Sequence, residues 1–300
     1  RFEAYGDWRR RLASRVSMLH RWLEEQDLAD AQVDQKVQGL LERLHQDKLV
    51  VAFVAEFSRG KSELINAIFF AEYGKRVLPS AAGRTTMCPT ELLYDATLPP
   101  CIRALPIETR ARTGSTSDFK RLAHEWEVFP VDTGSPDGML DAFKMVAETV
   151  RVTVDEARGY GLFDPDDPDQ AVAIDASGMV EISKWRHAII NFPHPLLKRG
   201  LVILDTPGLN AIGAEPELTL SLVPNAHAVL FVLAADTGVT RSDLDVWRHV
   251  VGDAGHRNHI AVLNKIDGLW DPLKTTDEIE SEIGRQVRAA AATLDLQPTR

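Results

Sequence analysis

Leu49-Val50-Val51-Ala52-Phe53-Val54-Ala55-Glu56-Phe57-Ser58-Arg59-Gly60-Lys61-Ser62 is the stretch that decides the fold. Its first six residues form an unbroken apolar run, the pattern of a strand buried on both faces. Glu63–Phe70 then carries helical spacing. Between them stands Gly-Lys-Ser, the end of a phosphate-binding pattern: Gly, four residues, Gly-Lys and a hydroxyl residue. Such a loop aims backbone N–H groups at an anion from a helix N-terminus, where the dipole favours negative charge. On this reading Lys61 neutralises the β- and γ-phosphates, Ser62 ligates Mg²⁺, and Gly60 permits close backbone approach. Ala55 stands where the pattern has its first glycine. A left-handed backbone there would cost about 1 kcal/mol.

Two further apolar runs end in polar residues of matching chemistry. Leu201–Leu204 leads into Asp205-Thr206-Pro207-Gly208. A strand-end Asp holds Mg²⁺ in phosphate-hydrolysing proteins, and a glycine just beyond lets a backbone N–H reach the γ-phosphate. Ile260–Leu263 leads into Asn264-Lys265-Ile266-Asp267. A buried carboxylate at Asp267 accepts hydrogen bonds from N1–H and the exocyclic amine of guanine, which adenine cannot supply. Asn264 ties this loop to the phosphate loop, and the Lys265 stem covers the base. A fourth element, Gly83-Arg84-Thr85-Thr86 with Pro89-Thr90-Glu91-Leu92, supplies a threonine for Mg²⁺ and the γ-phosphate. Thr85 and Thr86 both qualify.

Ala228–Leu233 is another buried run, and helical patterns cover Ser242–Val251 and Asp277–Leu294, the latter opened by a Thr275/Glu278 capping box. Buried strands alternating with helices define an α/β fold with a mainly parallel sheet flanked by helices. Residues 1–47 form a helical segment with two apolar stripes, one through Tyr5, Trp8, Leu12, Leu19, Trp22 and Leu23 and one through Val33, Val37, Leu40, Leu41 and Leu44. Each needs a packing partner: the main domain, or a bundle completed by other chain. Residues 48–300 form the main domain. An insertion of helices and loops occupies about 106–179, with helical pieces at Asp118–Trp126 and Met139–Arg158, and Val180–Phe192 reads as one strand. The acidic run Asp164–Asp169 lacks the Gly and Glu of a calcium loop and reads as a solvated turn.

The charge is −10, from 34 basic against 44 acidic residues. That opposes non-specific nucleic-acid binding, which needs a basic surface. Cys88 and Cys101 are too few for a disulfide framework, which suits a cytoplasmic setting. The longest apolar stretch is about half of the ~20 residues a membrane span needs. Three of the nine histidines, His249, His256 and His259, match no zinc spacing and read as surface or cap residues.

Glu56–Ser62, the Thr85-Thr86 loop with Pro89–Leu92, Asp205–Asn210 and Asn264–Asp267 together resemble the dynamin superfamily, most of all its bacterial dynamin-like GTPases. The resemblance covers about residues 48–296. It implies a P-loop GTPase that hydrolyses GTP to GDP with Mg²⁺, dimerises across its nucleotide face and is coupled to membrane remodelling. The chain would be cytoplasmic or peripheral at a membrane, with any lipid contact made by chain outside these 300 residues. The implied nucleotide-binding set is Glu56, Phe57, Ser58, Arg59, Gly60, Lys61, Ser62, Glu63, Asn264, Lys265 and Asp267. The implied catalytic set is Ser58, Lys61, Thr85, Thr86 and Gly208, and the metal set Ser62, Thr86 and Asp205. Ser58 matches the position that coordinates a monovalent cation. The last guanine-binding motif is expected beyond Arg300.

Leu209 occupies the place of a water-orienting Gln, and Phe57 the place of another, so water positioning falls to backbone groups. Arg59 reads as an internal arginine finger, a solvent-facing residue or a dimer bridge. Two other readings compete: a nucleotide-binding scaffold without hydrolysis, motivated by Ala55 and Leu209, and an ATPase.

Overall fold

The computed structural model describes residues 2–26, 48–78, 88–163, 174–206, 226–248 and 258–296, with single positions between them. Helix α1 (Phe2–Glu25) is followed by strand β1 (Leu49–Val54), helix α2 (Lys61–Phe69), β2 (Thr90–Leu93), β3 (Cys101–Pro106), β4 (Glu127–Pro130), α3 (Pro136–Lys144), β5 (Thr149–Thr153), α4 (Val154–Gly159), β6 (Met179–Ser183), β7 (Trp185–Asn191), β8 (Leu201–Asp205), β9 (Ala228–Ala234), α5 (Arg241–Val246), β10 (His259–Asn264) and α6 (Thr276–Thr293).

Eight strands make one sheet in the order β10-β9-β1-β8-β2-β7-β3-β4. The block β10, β9, β1, β8 is parallel throughout, so the loops after all four strands emerge at one edge. β2 turns antiparallel to β8, runs parallel to β7, and β3 and β4 continue antiparallel. β1 lies inside the parallel block, between β9 and β8, and its side chains are apolar on both faces. Val51 and Phe53 pack with Ile65, Phe69 and Phe70, which includes the inner face of α2. Ala52 and Val54 pack on the opposite face with Phe231, Val246 and Leu294, beneath α5 and α6. Alternate residues thus feed two separate cores. The α/β architecture with a mainly parallel sheet is as the strand–helix alternation implies.

Several expectations need correction. Asp118–Trp126 is not one helix: it is divided between a helical turn at Thr116–Phe119 and a 3-10 turn at Ala123–Glu125. Met139–Arg158 is not one helix: α3 ends at Lys144, and Thr149-Val150-Arg151-Val152-Thr153 pairs antiparallel with β6. The alternating β-branched residues favour a pleated surface over a helical one. Val180–Phe192 is not one strand: Lys184 separates β6, in the small sheet, from β7, in the large one. The region 106–179 is therefore more than helices and loops. β4 extends the main sheet, and β5–β6 close a small core with Ile107, Ala157, Leu162 and Phe163. Finally, β10 is the edge strand and only half-buried, with Ile260 53% exposed. The acidic run 164–169, His249 and His256 lie outside the described residues. His259 opens β10 and meets Trp247 edge-on at 5.9 Å between ring centroids, so it is a sheet residue and not a cap.

In the helical segment, Arg9 donates to the carbonyl of Leu44 at 3.0 Å and His20 Nε2 meets Asp34 Oδ1 at 2.8 Å, so α1 contacts Asp34 and Leu44. The α1 stripe still faces outward, with Trp8 50% and Trp22 52% exposed. Both cysteines are buried and unpaired with each other. Burial pushes the Cys88 thiol up to about 12.

A charged cluster lies inside the sheet. Glu91 on β2 accepts from Lys120 and meets the fully buried His187 of β7 at 3.1 Å. Burial alone would raise the Glu91 carboxyl. The hydrogen bond and charge of His187, with Lys120, override it and hold the carboxyl near 2, against an ordinary 4.5. A depressed folded-state pKa stabilises the fold above 4.5, and that contribution drains as pH falls from 4.5 towards 2. The Glu91→Gln variant should lose about 3 kcal/mol at pH 7. Denaturant titrations should show this gap narrowing steadily below pH 4.5; a gap unchanged at pH 3 would contradict the assignment.

Candidate nucleotide-binding site

The strand that anchors the site is β1, whose end releases the chain into Ala55–Gly60 before α2 begins at Lys61. Gly60 caps α2 with φ +83°, and Ser58 has φ +63°. Arg59 is thus flanked by two left-handed residues, a geometry that curls the loop. A left-handed Ser costs about 1 kcal/mol or more, so neighbouring contacts must hold it. Among the described residues the left-handed non-glycines are Ser58, Lys265 and Asp295. Two of the three stand in this site, as strained backbone at functional positions often does. Ala55 is not among them, so the missing first glycine carries no left-handed penalty.

Lys61 and Asp205 meet directly. The ammonium donates to Asp205 Oδ1, with both side chains about nine-tenths buried. The register explains the meeting: β1 and β8 pair with Phe53 opposite Asp205, so the β8 carboxylate lies beside the start of the phosphate loop. Thr206 seals the strand end by donating Oγ1 to the Phe53 carbonyl at 2.8 Å. Ser62 lies in the first turn of α2, next to Lys61. Its hydroxyl and the Asp205 carboxylate are hard oxygen donors, the chemistry that suits Mg²⁺.

The Asn264 loop reaches the same place from the other side. Asn264 Nδ2 donates to the carbonyls of Arg59 at 3.0 Å and Gly60 at 3.2 Å. A Cβ built on Gly60 would lie 2.5 Å from that same nitrogen and 3.9 Å from Cε of Lys265. Gly60 is therefore required twice, by its positive φ and by the close approach of Asn264. Asp267 follows in the short turn Ile266–Leu269 and is exposed, which corrects the expectation of a buried carboxylate. The edge position of β10 is the physical reason: no strand covers its outer side among the described residues.

Arg59 departs furthest from expectation. Its guanidinium is buried, not solvent-facing. Nε and Nη2 donate to the two carboxylate oxygens of Asp243 at 2.9 and 2.8 Å. Nη1 and Nη2 also reach Thr237 and Thr240. Glu56 is held too, accepting from its neighbour's N–H at 2.8 Å and from Ser242. Glu63 turns away to Arg76 at 3.1 Å. Phe57 and Ser58 are exposed at the tip of the loop. Thr85, Thr86 and Gly208 lie outside the described residues.

Sequence reasoning missed Asp243, Thr237, Thr240 and Ser242. One signal was available: Thr240-Arg241-Ser242-Asp243 is a capping box, realised here with Thr240 and Asp243 bonded reciprocally at the start of α5. The pattern announces a helix start but not that its acid will bind a phosphate-loop arginine.

Among the described residues no helix is long and apolar enough to cross a membrane. The one cluster of metal-ligating side chains among them, His20, Glu24 and Asp34, lies in the helical segment and not in this site.

The chain is similar to several known proteins. A solved structure of an oligomerised bacterial dynamin pair aligns over 97% of this chain and 36% of its own, at 15% identity and a TM-score of 0.49. The chain is 23% identical over 256 residues to the bacterial dynamin-like protein of Nostoc punctiforme, covering 85% of this chain and 29% of that one. It is 25% identical over 251 residues to mitofusin-2 of Rattus norvegicus, covering 84% of this chain and 26% of that one. It thus spans between a quarter and a third of these curated relatives. The model of the dynamin family matches residues 51–266, which takes in the phosphate loop, Asp205 and most of the Asn264 loop, and the chain belongs to that family.

Proposed function

We propose that the chain binds GTP with Mg²⁺ and hydrolyses it to GDP and phosphate. We further propose that it pairs with a second copy across the nucleotide edge and couples turnover to membrane remodelling. The observation that carries this reading is the meeting of three strand-end loops at one edge, through Lys61 with Asp205 and Asn264 with the Arg59 and Gly60 carbonyls. Ligands of open α/β sheets bind outside the carboxyl ends of the strands, and the interior strand β1 delivers the phosphate loop there.

Each residue then has a task. Backbone N–H groups of the loop and the N-terminus of α2 hold the phosphates. Lys61 stabilises charge that spreads over the γ-phosphate oxygens as water attacks in line. Ser62 and Asp205 would hold Mg²⁺, which when bound neutralises charge on the β- and γ-phosphates. Asp267 accepts from the guanine N1–H and amine, and the Lys265 stem flanks the base. A threonine of the 85–86 pair and the backbone at Gly208 complete contacts to the γ-phosphate. Leu209 cannot orient water, so backbone groups of the phosphate and threonine loops do so. The ordinary backbone at Ala55 removes one of the two reasons for a non-hydrolysing scaffold.

Pairing is supported by the exposed Phe57 and Ser58 at the open edge. The membrane coupling follows kinship with the family. The outward stripe of α1 offers Trp8, Met18, Leu19 and Trp22 for packing by further helices.

Replacing Lys61 with Ala should lower GTP turnover roughly a hundredfold or more. Phosphate release at saturating GTP measures this, and parental turnover in the variant would refute the assignment. Turnover per protomer should also climb with protein concentration as pairs form. A rate independent of concentration, at a level above background, would remove pairing from the mechanism.

A further inference from the structure

Arg59 lies at the centre of a network that the phosphate-binding chemistry does not require. Its guanidinium makes a bidentate pair with Asp243, a fully buried carboxylate more than 180 residues away in sequence. Two threonine hydroxyls, of Thr237 and Thr240, accept its other N–H groups at 2.9 and 3.0 Å. Asp243 in turn accepts from the Thr240 N–H at 2.9 Å and its hydroxyl at 2.7 Å. The planar guanidinium fork matches a carboxylate in two parallel bonds, which fixes orientation as well as distance.

The same segment touches both halves of the proposed site. Ser242 donates to Glu56 in the phosphate loop. Asp236 pairs with Nζ of Lys265 at 3.3 Å in the base loop. Meanwhile the Arg59 carbonyl is taken by Asn264. So the Arg59 side chain is fastened to the segment after β9, and its main chain to the end of β10. On either side stand the left-handed Ser58 and Gly60. A strained backbone persists only when its surroundings over-determine it.

We propose that Arg59 is a positioning residue: through Asp243, Thr237 and Thr240 it fastens residues 58–60 in the curled conformation that aims their N–H groups at a phosphate. It does not touch the transferred group. The segment 235–243 is the brace that sets the phosphate loop and the base loop at a common distance. The proposal rests on the nucleotide reading above.

The test removes the pair without stranding a buried charge. Arg59→Gln combined with Asp243→Asn leaves two neutral amides and keeps an acceptor for the α5 cap. The double variant should melt within about 4 °C of the parent. Its kcat/KM for GTP should fall between about tenfold and a hundredfold. Hydrogen exchange at the amides of residues 58–61, measured without nucleotide, should quicken. Parental kcat/KM together with parental exchange would overturn the proposal and leave Arg59 a stability element only. Should the double variant fail to fold, Arg59→Lys serves in its place. It keeps the charge but loses the fork, and the same loss of kcat/KM with faster exchange is expected; parental values again overturn the proposal. Should the parent itself bind no guanine nucleotide, the functional reading falls, and the exchange measurement still decides the role of Arg59.

Discussion

The side-chain amide of Asn264 donates to the carbonyls of two successive residues in a loop some 200 positions earlier. That contact works only because residue 60 has no side chain, since a Cβ there would overlap the amide. Everything that makes the site a single site follows from it. The end of β10 is joined to the end of β1, and β8 brings Asp205 to Lys61 from the opposite flank. A parallel block of strands places the three loops at one edge, and the Asn264 contact closes the distance between two of them.

Burial then distributes the chemistry. One end of the proposed site is set in the protein: Lys61 and Asp205 are mostly covered, and Glu56 and Arg59 are buried. The other end is open, on a half-exposed edge strand with Asp267 in solvent. Low local dielectric strengthens the electrostatics where charge would develop in phosphoryl transfer.

The strands of the parallel block were legible because each carries an unbroken apolar run. Leu49–Val54, Leu201–Leu204, Ala228–Leu233 and Ile260–Leu263 all fall within β1, β8, β9 and β10. The polar residues at their ends were legible because their chemistry is specific to type and spacing. The outer half of the sheet was not. β4 has four residues, β3 is broken by Arg103 and ends in Pro106, and their place is fixed by the pairing of β3 with β7 and of β4 with β3, a non-local fact. The exposure of Asp267 was hidden for the same reason: an apolar run announces a strand but not whether it lies at an edge. Arg59 shows the limit most clearly. Its residue type fits a free cation beside a phosphate, yet the partner that captures it is a helix cap brought in by the fold.

The central claim is that one crevice, walled by three distant stretches, selects guanine through the carboxylate of Asp267. Paired titrations of GTP and xanthosine triphosphate against the parent and Asp267→Asn test it most directly. The parent should prefer GTP, and the variant should prefer xanthosine triphosphate, with the ratio of affinities moving by at least about a hundredfold. An unchanged ratio in a folded variant would contradict the claim.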